Sequence, residues 1–196
     1  SVALTNWWNE LSYEWKEIFK RKLNLIDSVQ LGDIKNITAI AELDLSHNKY
    51  IQTIEPLAQL LGLTLLNLSN TSVSDLTPIR NLTDLIELNL ADTKVADLSP
   101  LKYSNKLIRL NITNTGVSDV SVLDKMPELQ NLEAGAIKAT DFSPVSRLTK
   151  LLYLNVEDTQ FTDLSVLSNL IQVTEVNISR TPVTNLTSFN SLKELI

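Results

Sequence analysis

The amino-acid sequence predicts an α/β solenoid: a right-handed curved array of about seven coils, with a parallel β-sheet on its concave side and 3₁₀ turns on its convex side. An α-helical cap is expected at its N-terminal end. Three observations predict this. First, the chain repeats every 22 residues without a gap from Leu63, as LTLLNLSNTSVSDLTPIRNLTD, then LIELNLADTKVADLSPLKYSNK from Leu85, and on through copies starting at Leu107, Leu129, Leu151 and Val173. A repeat of that length marks a stack of like structural units. An earlier copy starts at Ile40 and runs 23 residues, with its extra residue between Asn48 and Ile54, so seven repeats cover 40–194. Second, Leu66 and Leu68, with their equivalents 88/90, 110/112, 132/134, 154/156 and 176/178, alternate apolar with polar over a short span, the signature of a strand buried on one face. Third, apolar columns recur at Val73, Leu76 and Ile79 and their equivalents one period on. No coil can bury these alone, so each must pack on its neighbours.

The elements follow in chain order. Residues 1–39 are expected to form the helical cap, because the end of a solenoid otherwise exposes its apolar interior. Trp8, Leu11, Trp15, Ile18 and Phe19 recur at helical spacing, with Glu10, Glu14, Glu17, Lys16 and Lys20 largely elsewhere. Ser12, followed by Glu14 and Trp15, suits a helix start. A membrane-surface or partner-docking helix is the alternative reading, since three Trp suit an interface. It is weakened by the five positive and five negative residues of this segment. Within each coil, Thr71, Thr93, Thr115, Thr159 and Thr181, with Asn48 in the first repeat, stand where the chain turns off the strand and backbone groups need a partner. Ile137 breaks this column, and Glu133, Ala134, Gly135 and Ala136 also depart from their neighbours, so the fifth coil is expected to be locally irregular. Asp75, Asp97, Asp119, Asp141 and Asp163, with Asn185, read as caps of short convex turns. The room left in each coil is too short for a long helix and suits 3₁₀ turns. Leu195 and Ile196 fall where an eighth repeat would begin, and the missing initiator Met and polar end cap suggest a piece cut from a longer protein. Otherwise Phe189, Leu192, Leu195 and Ile196 would form a minimal cap.

The pattern L-x-x-L-x-L-x-x-[N/T]-x-[V/I]-x-D-L-S-P-L resembles a leucine-rich repeat. Its 22-residue length and -DLSPL- tail are most similar to the bacterial internalin-like class. The segment LSYEWKEIFKRKLNL resembles the helical N-terminal cap of many bacterial members. The resemblance implies a protein-binding module that is secreted or attached to a bacterial cell surface. No signal peptide is seen in the chain itself, because the start lacks a basic region followed by an apolar one.

Composition narrows the function classes. The formal net charge of −6 disfavours nucleic acid and anionic membranes, which need basic surface. No apolar run approaches a membrane span. With no Cys and a single His, His47, thiolate sites, disulfides and multi-histidine metal sites are excluded. Glycine is too sparse for a phosphate loop. Neither catalytic nor cofactor-binding nor metal-ligating residues are therefore assigned, and no cofactor is expected. The seven Asn-x-Ser/Thr sequons (Asn36, Asn67, Asn70, Asn81, Asn111, Asn177 and Asn185) read as by-products of the repeat.

What remains is a rigid concave sheet. The first outward column reads Glu42, Leu65, Glu87, Arg109, Asn131, Tyr153 and Glu175. The second reads Asp44, Asn67, Asn89, Asn111, Glu133, Asn155 and Asn177, and its Asn residues are expected to stack as an amide ladder. Chemical variation inside a rigid frame suits recognition, and Tyr and Arg are enriched at binding hot spots. Leu65, Glu87, Arg109, Glu133, Tyr153 and Glu175 are the candidate protein-binding residues, for an unidentified protein partner of a chain expected to be monomeric. The alternatives are a structural spacer or stalk of a larger surface protein, and a glycan-binding module using Tyr153 and the Asn column.

Overall fold

In the computed structural model, which describes residues 2–196, the alternating positions become very short strands. They are β1 (Glu42–Asp44), β2 (Leu65–Asn67), β3 (Glu87–Asn89), β4 (Arg109–Asn111), β5 (Asn131–Glu133), β6 (Tyr153–Asn155) and β7 (Glu175–Asn177). They form one parallel sheet in chain order, and the register advances 22 positions per strand from Leu65 onward, pairing Leu66 with Leu88, Leu88 with Leu110 and so on. The 23-residue first repeat is absorbed outside the strand, so Leu43 still pairs with Leu66. The inward residues Leu66, Leu88, Leu110, Leu132 and Leu154 are all buried, as are the apolar columns of the coil interiors. Parallel strands need a crossover on one side only, and here each crossover is a coil carrying a 3₁₀ turn of three to five residues.

Each coil turns off the sheet in the same way. The main-chain ladder runs one step past the strand, as when Asn70 N–H donates to Ala91 C=O at 2.9 Å. That residue is left-handed in all seven coils. In five coils the threonine after it donates its Oγ1 proton to the carbonyl three residues back, at 2.7 Å for the buried Thr71, Thr93 and Thr115 and 2.6 Å for the buried Thr159 and the partly buried Thr181, whereas Asn48 of the first coil instead accepts Tyr50 N–H at 3.1 Å. At the convex turn, the carboxylate of Asp75 accepts the Thr77 N–H at 2.8 Å, and Asp97, Asp119, Asp141, Asp163 and Asn185 repeat the contact.

The fifth coil is not irregular. β5 pairs in the common register with both neighbours, and Ala136 keeps the left-handed turn and its bond to Glu157 C=O at 2.8 Å. Ile137 buries its side chain in place of the threonine. Hydrogen bonds from the coils on either side hold the backbone path, so one missing side-chain bond does not distort it. The Asn column is not an amide ladder either. The Oδ1 atoms of Asn67, Asn89, Asn111, Asn155 and Asn177 each accept the N–H two residues on, at 2.9–3.0 Å, so they brace their own coil's turn.

The N-terminal segment folds into three helices, α1 (Val2–Glu10), α2 (Tyr13–Lys22) and α3 (Leu31–Thr38). The apolar face running from Trp8 to Phe19 is broken at Leu11–Ser12, where Ser12 caps α2 by accepting Trp15 N–H. α2 ends with left-handed Asn24, Leu25 N–H donating to Lys20 C=O and Asn24 N–H to Arg21 C=O, the double bond of a Schellman cap. Trp8, Leu11, Trp15 and Phe19 are buried, whereas Ile18 is only half-buried. The third helix was not expected. Its start is held by Asp33, which accepts Gln30 N–H at 2.9 Å, and Ile34 and Ile37 close over the first coil's apolar interior. At the other end, Leu192 is buried, Phe189 and Leu195 are partly covered, and Leu186 and Ile196 are exposed.

Candidate functional site

Because side chains alternate across a strand, each three-residue strand sends its first and third side chains to the concave side. The register then lines up Leu65, Glu87, Arg109, Asn131, Tyr153 and Glu175 as one unbroken row, one residue per strand. Five of the six candidate residues are in this row. The sixth, Glu133, lies in the adjacent row between Asn111 and Asn155.

The row divides into two parts. Leu65, Glu87, Arg109 and Glu133 line one shallow depression of about 470 Å³, floored by the asparagines of the second row. Tyr153 and Glu175 lie beyond it. Arg109 is not a free cation, because its guanidinium is ion-paired with Glu87 across the β3–β4 register. Both groups stay well solvated, so the pair adds little stability, and a partner can separate it at small cost. Tyr153 is half-buried, and its phenol is held above the ordinary tyrosine range, first by burial and then by the carboxylates of Glu133, Glu175 and Glu157. It thus presents a neutral O–H amid negative charge.

Glu157 was not a candidate on sequence grounds, yet it is part of this surface. A Cβ at Gly135 would lie 3.0 Å from its Cγ, so the glycine of the fifth coil leaves the space this side chain occupies. Its carboxylate accepts from Asn177 Nδ2 at 3.4 Å and lies 3.5 Å from Arg180 Nη2. Glu133 likewise accepts from Asn155 Nδ2 at 3.2 Å. The sequence hint lay in the column Ser46, Ser69, Ala91, Thr113, Gly135, Glu157 and Ser179, where the lone Glu directly follows the lone Gly among small residues. Among the described residues, no group of three or more His, Asp or Glu side chains is placed to hold a metal ion. No described helix is long and apolar enough to cross a membrane.

A family model for leucine-rich repeats in two copies matches residues 62–103. No curated protein sequence matches the chain. Among solved structures, the chain is similar to an internalin (inlF) from Listeria monocytogenes, with 28% identity and a TM-score of 0.79 over 85% of this chain and 49% of that one. It is similar to internalin C2 (inlC2) of the same species, with 24% identity and a TM-score of 0.77 over 91% and 88%. A leucine-rich repeat protein from Leptospira interrogans shares the fold at 18% identity and a TM-score of 0.66, over 84% and 49%. The chain thus spans about half the length of the inlF and Leptospira structures. Strand register, repeat match and the likeness to inlF together show a leucine-rich repeat solenoid that is internalin-like.

Proposed function

We propose that this chain is a non-enzymatic protein-recognition module. In this reading residues 1–39 cap the array, residues 40–194 form it, and the concave sheet binds a protein partner on or outside a bacterial cell. One observation carries the reading. Along a row of strands whose inward residue is almost always leucine, the outward residue runs through Leu65, Glu87, Arg109, Asn131, Tyr153 and Glu175. These side chains face solvent on a rigid support and do not build the core, so their variety serves something other than folding. The extracellular setting rests on the resemblance to internalins.

Surface proteins of cells that meet the bacterium are the natural bait, assayed by binding to the immobilised chain. Tyr153→Ala and Arg109→Ala should each weaken a captured partner by about 1–2 kcal/mol while leaving the melting curve in place. Undiminished binding by both variants would move the site off this row. Binding on a carbohydrate array but to no protein would favour a glycan-binding module, and no binding on either would favour a spacer.

A further inference from the structure

A second surface, independent of the concave sheet, lies where the cap meets the first coil. A cleft of about 830 Å³ opens there, with an apolar floor of Trp7, Trp15, Ile18 and Pro56. Its lining includes Glu10, Glu14 and Glu55 and no lysine or arginine. None of these three carboxylates is in an ion pair among the described residues. The indole Nε1–H of Trp7 is buried with no acceptor among the described residues, a condition that costs about 1–3 kcal/mol. Tyr50 borders the cleft and is 88% exposed. It falls within the stretch between Asn48 and Ile54 that makes the first repeat 23 residues long, the single break in the period. On its far side a second depression of about 640 Å³ shares Glu14, Ile18 and Tyr50 with the first.

We propose that this cleft docks an extended segment of a protein partner that places an apolar side chain next to a lysine or arginine. The apolar floor takes the first side chain, and the unpaired carboxylates on the rim attract the second. The Trp7 indole N–H is buried beyond a ligand's reach and does not select the occupant; the choice of an extended segment rests on the shape of the two adjoining depressions. The two depressions joined at Tyr50 suit a running peptide better than a compact small molecule; the second is also lined by Arg21 and Lys49, so the partner's lysine or arginine belongs in the first cleft. The inserted residue gives the first coil an exposed ring beside the cleft without disturbing the register of β1 and β2.

The test uses the full chain and its own chromophores. Trp7, Trp8 and Trp15 are the only tryptophans, and all lie in the cap, so their emission reports this cleft and not the concave sheet. A phage-displayed random dodecapeptide library would be selected on the protein, and the enriched peptides synthesised and titrated. The expected winners pair Lys or Arg with Leu, Pro or an aromatic residue and shift tryptophan emission saturably. Their affinity should fall roughly ten-fold in a Glu10→Lys/Glu55→Lys double variant and also fall in Tyr50→Ala, while Tyr153→Ala leaves it unchanged. Glu10, Glu55 and Tyr50 are exposed, so these variants keep the fold, which a melting curve verifies. Enrichment of acidic peptides, peptides that leave the emission unchanged, loss of binding in Tyr153→Ala instead of the cap variants, or no enriched peptide would each overturn the proposal.

Discussion

One residue in every coil, at His47, Asn70, Asp92, Asn114, Ala136, Asp158 and Arg180, sits in the left-handed region with φ between 52° and 61°. The conformation turns the chain off the sheet while its N–H still reaches the next strand. It costs most side chains about 1–2 kcal/mol, and Asn and Asp bear it best because their short polar groups bond locally. Four of the seven coils use Asn or Asp here, and the fifth coil uses Ala136. Ala136→Asn should therefore raise stability by up to about 1 kcal/mol, seen as a higher melting temperature with the far-ultraviolet spectrum unchanged. A lower melting temperature would mean that the methyl group contributes packing that outweighs the backbone strain.

At the scale of the single coil, the repeated unit is a strand, a left-handed turn, a buried threonine and a capped 3₁₀ turn. The caps carry a pH dependence. The carboxyls of Asp75, Asp141 and Asp163 are held below the ordinary aspartate range by the hydroxyl and amide of the residue two on, and that of Asp119 by the amide and hydroxyl of Ser121. Their pKa is lower folded than unfolded, so the unfolded chain binds protons first as pH falls. Their stabilisation is complete above the unfolded value and is lost as pH drops through the acidic carboxylate range to below the folded values. Asn185 makes the same bond without titrating, accepting Thr187 N–H at 2.9 Å. Replacing Asp75, Asp119, Asp141 and Asp163 together by Asn should leave neutral-pH stability nearly unchanged and flatten its decline in acid. An acid limb as steep as the parent's in urea titrations at several pH values would assign the decline to other carboxylates.

Across the whole molecule, each coil is stabilised by the coils on either side, so position in the array sets the cost of an identical change. Leu110 and Ile112 in the fourth coil are 1% and 0% exposed, while Ile178 in the seventh is only partly buried. Leu110→Ala should cost about 2–5 kcal/mol through the cavity it leaves. Ile112→Val should cost about 0.5–1.5 kcal/mol, and Ile178→Val clearly less. Amide hydrogen exchange should show the seventh coil opening before the fourth, because fewer apolar contacts hold it. Equal costs for the two Ile→Val changes, read from denaturant midpoints, would show the array melting as one unit with no weak end.

The sequence by itself determined the coil count, the strand register, the inward-facing columns and the threonine and aspartate roles. Each of these is stated again in every repeat, and a 22-residue period leaves few ways to stack. The candidate row was legible for the same reason, since outward positions are the complement of buried ones. Tertiary structure decided what occurs once. The break at Leu11–Ser12 and the helix Leu31–Thr38 depend on how the cap closes over the first coil, a surface no periodicity describes. The Glu87–Arg109 pair, the bracing role of the Asn column, Glu157 folding over Gly135 and the cleft beside Tyr50 depend on which neighbour each side chain meets in space. A repeat specifies its backbone path through many concurring local signals, whereas a surface contact between coils is a choice made by two side chains alone.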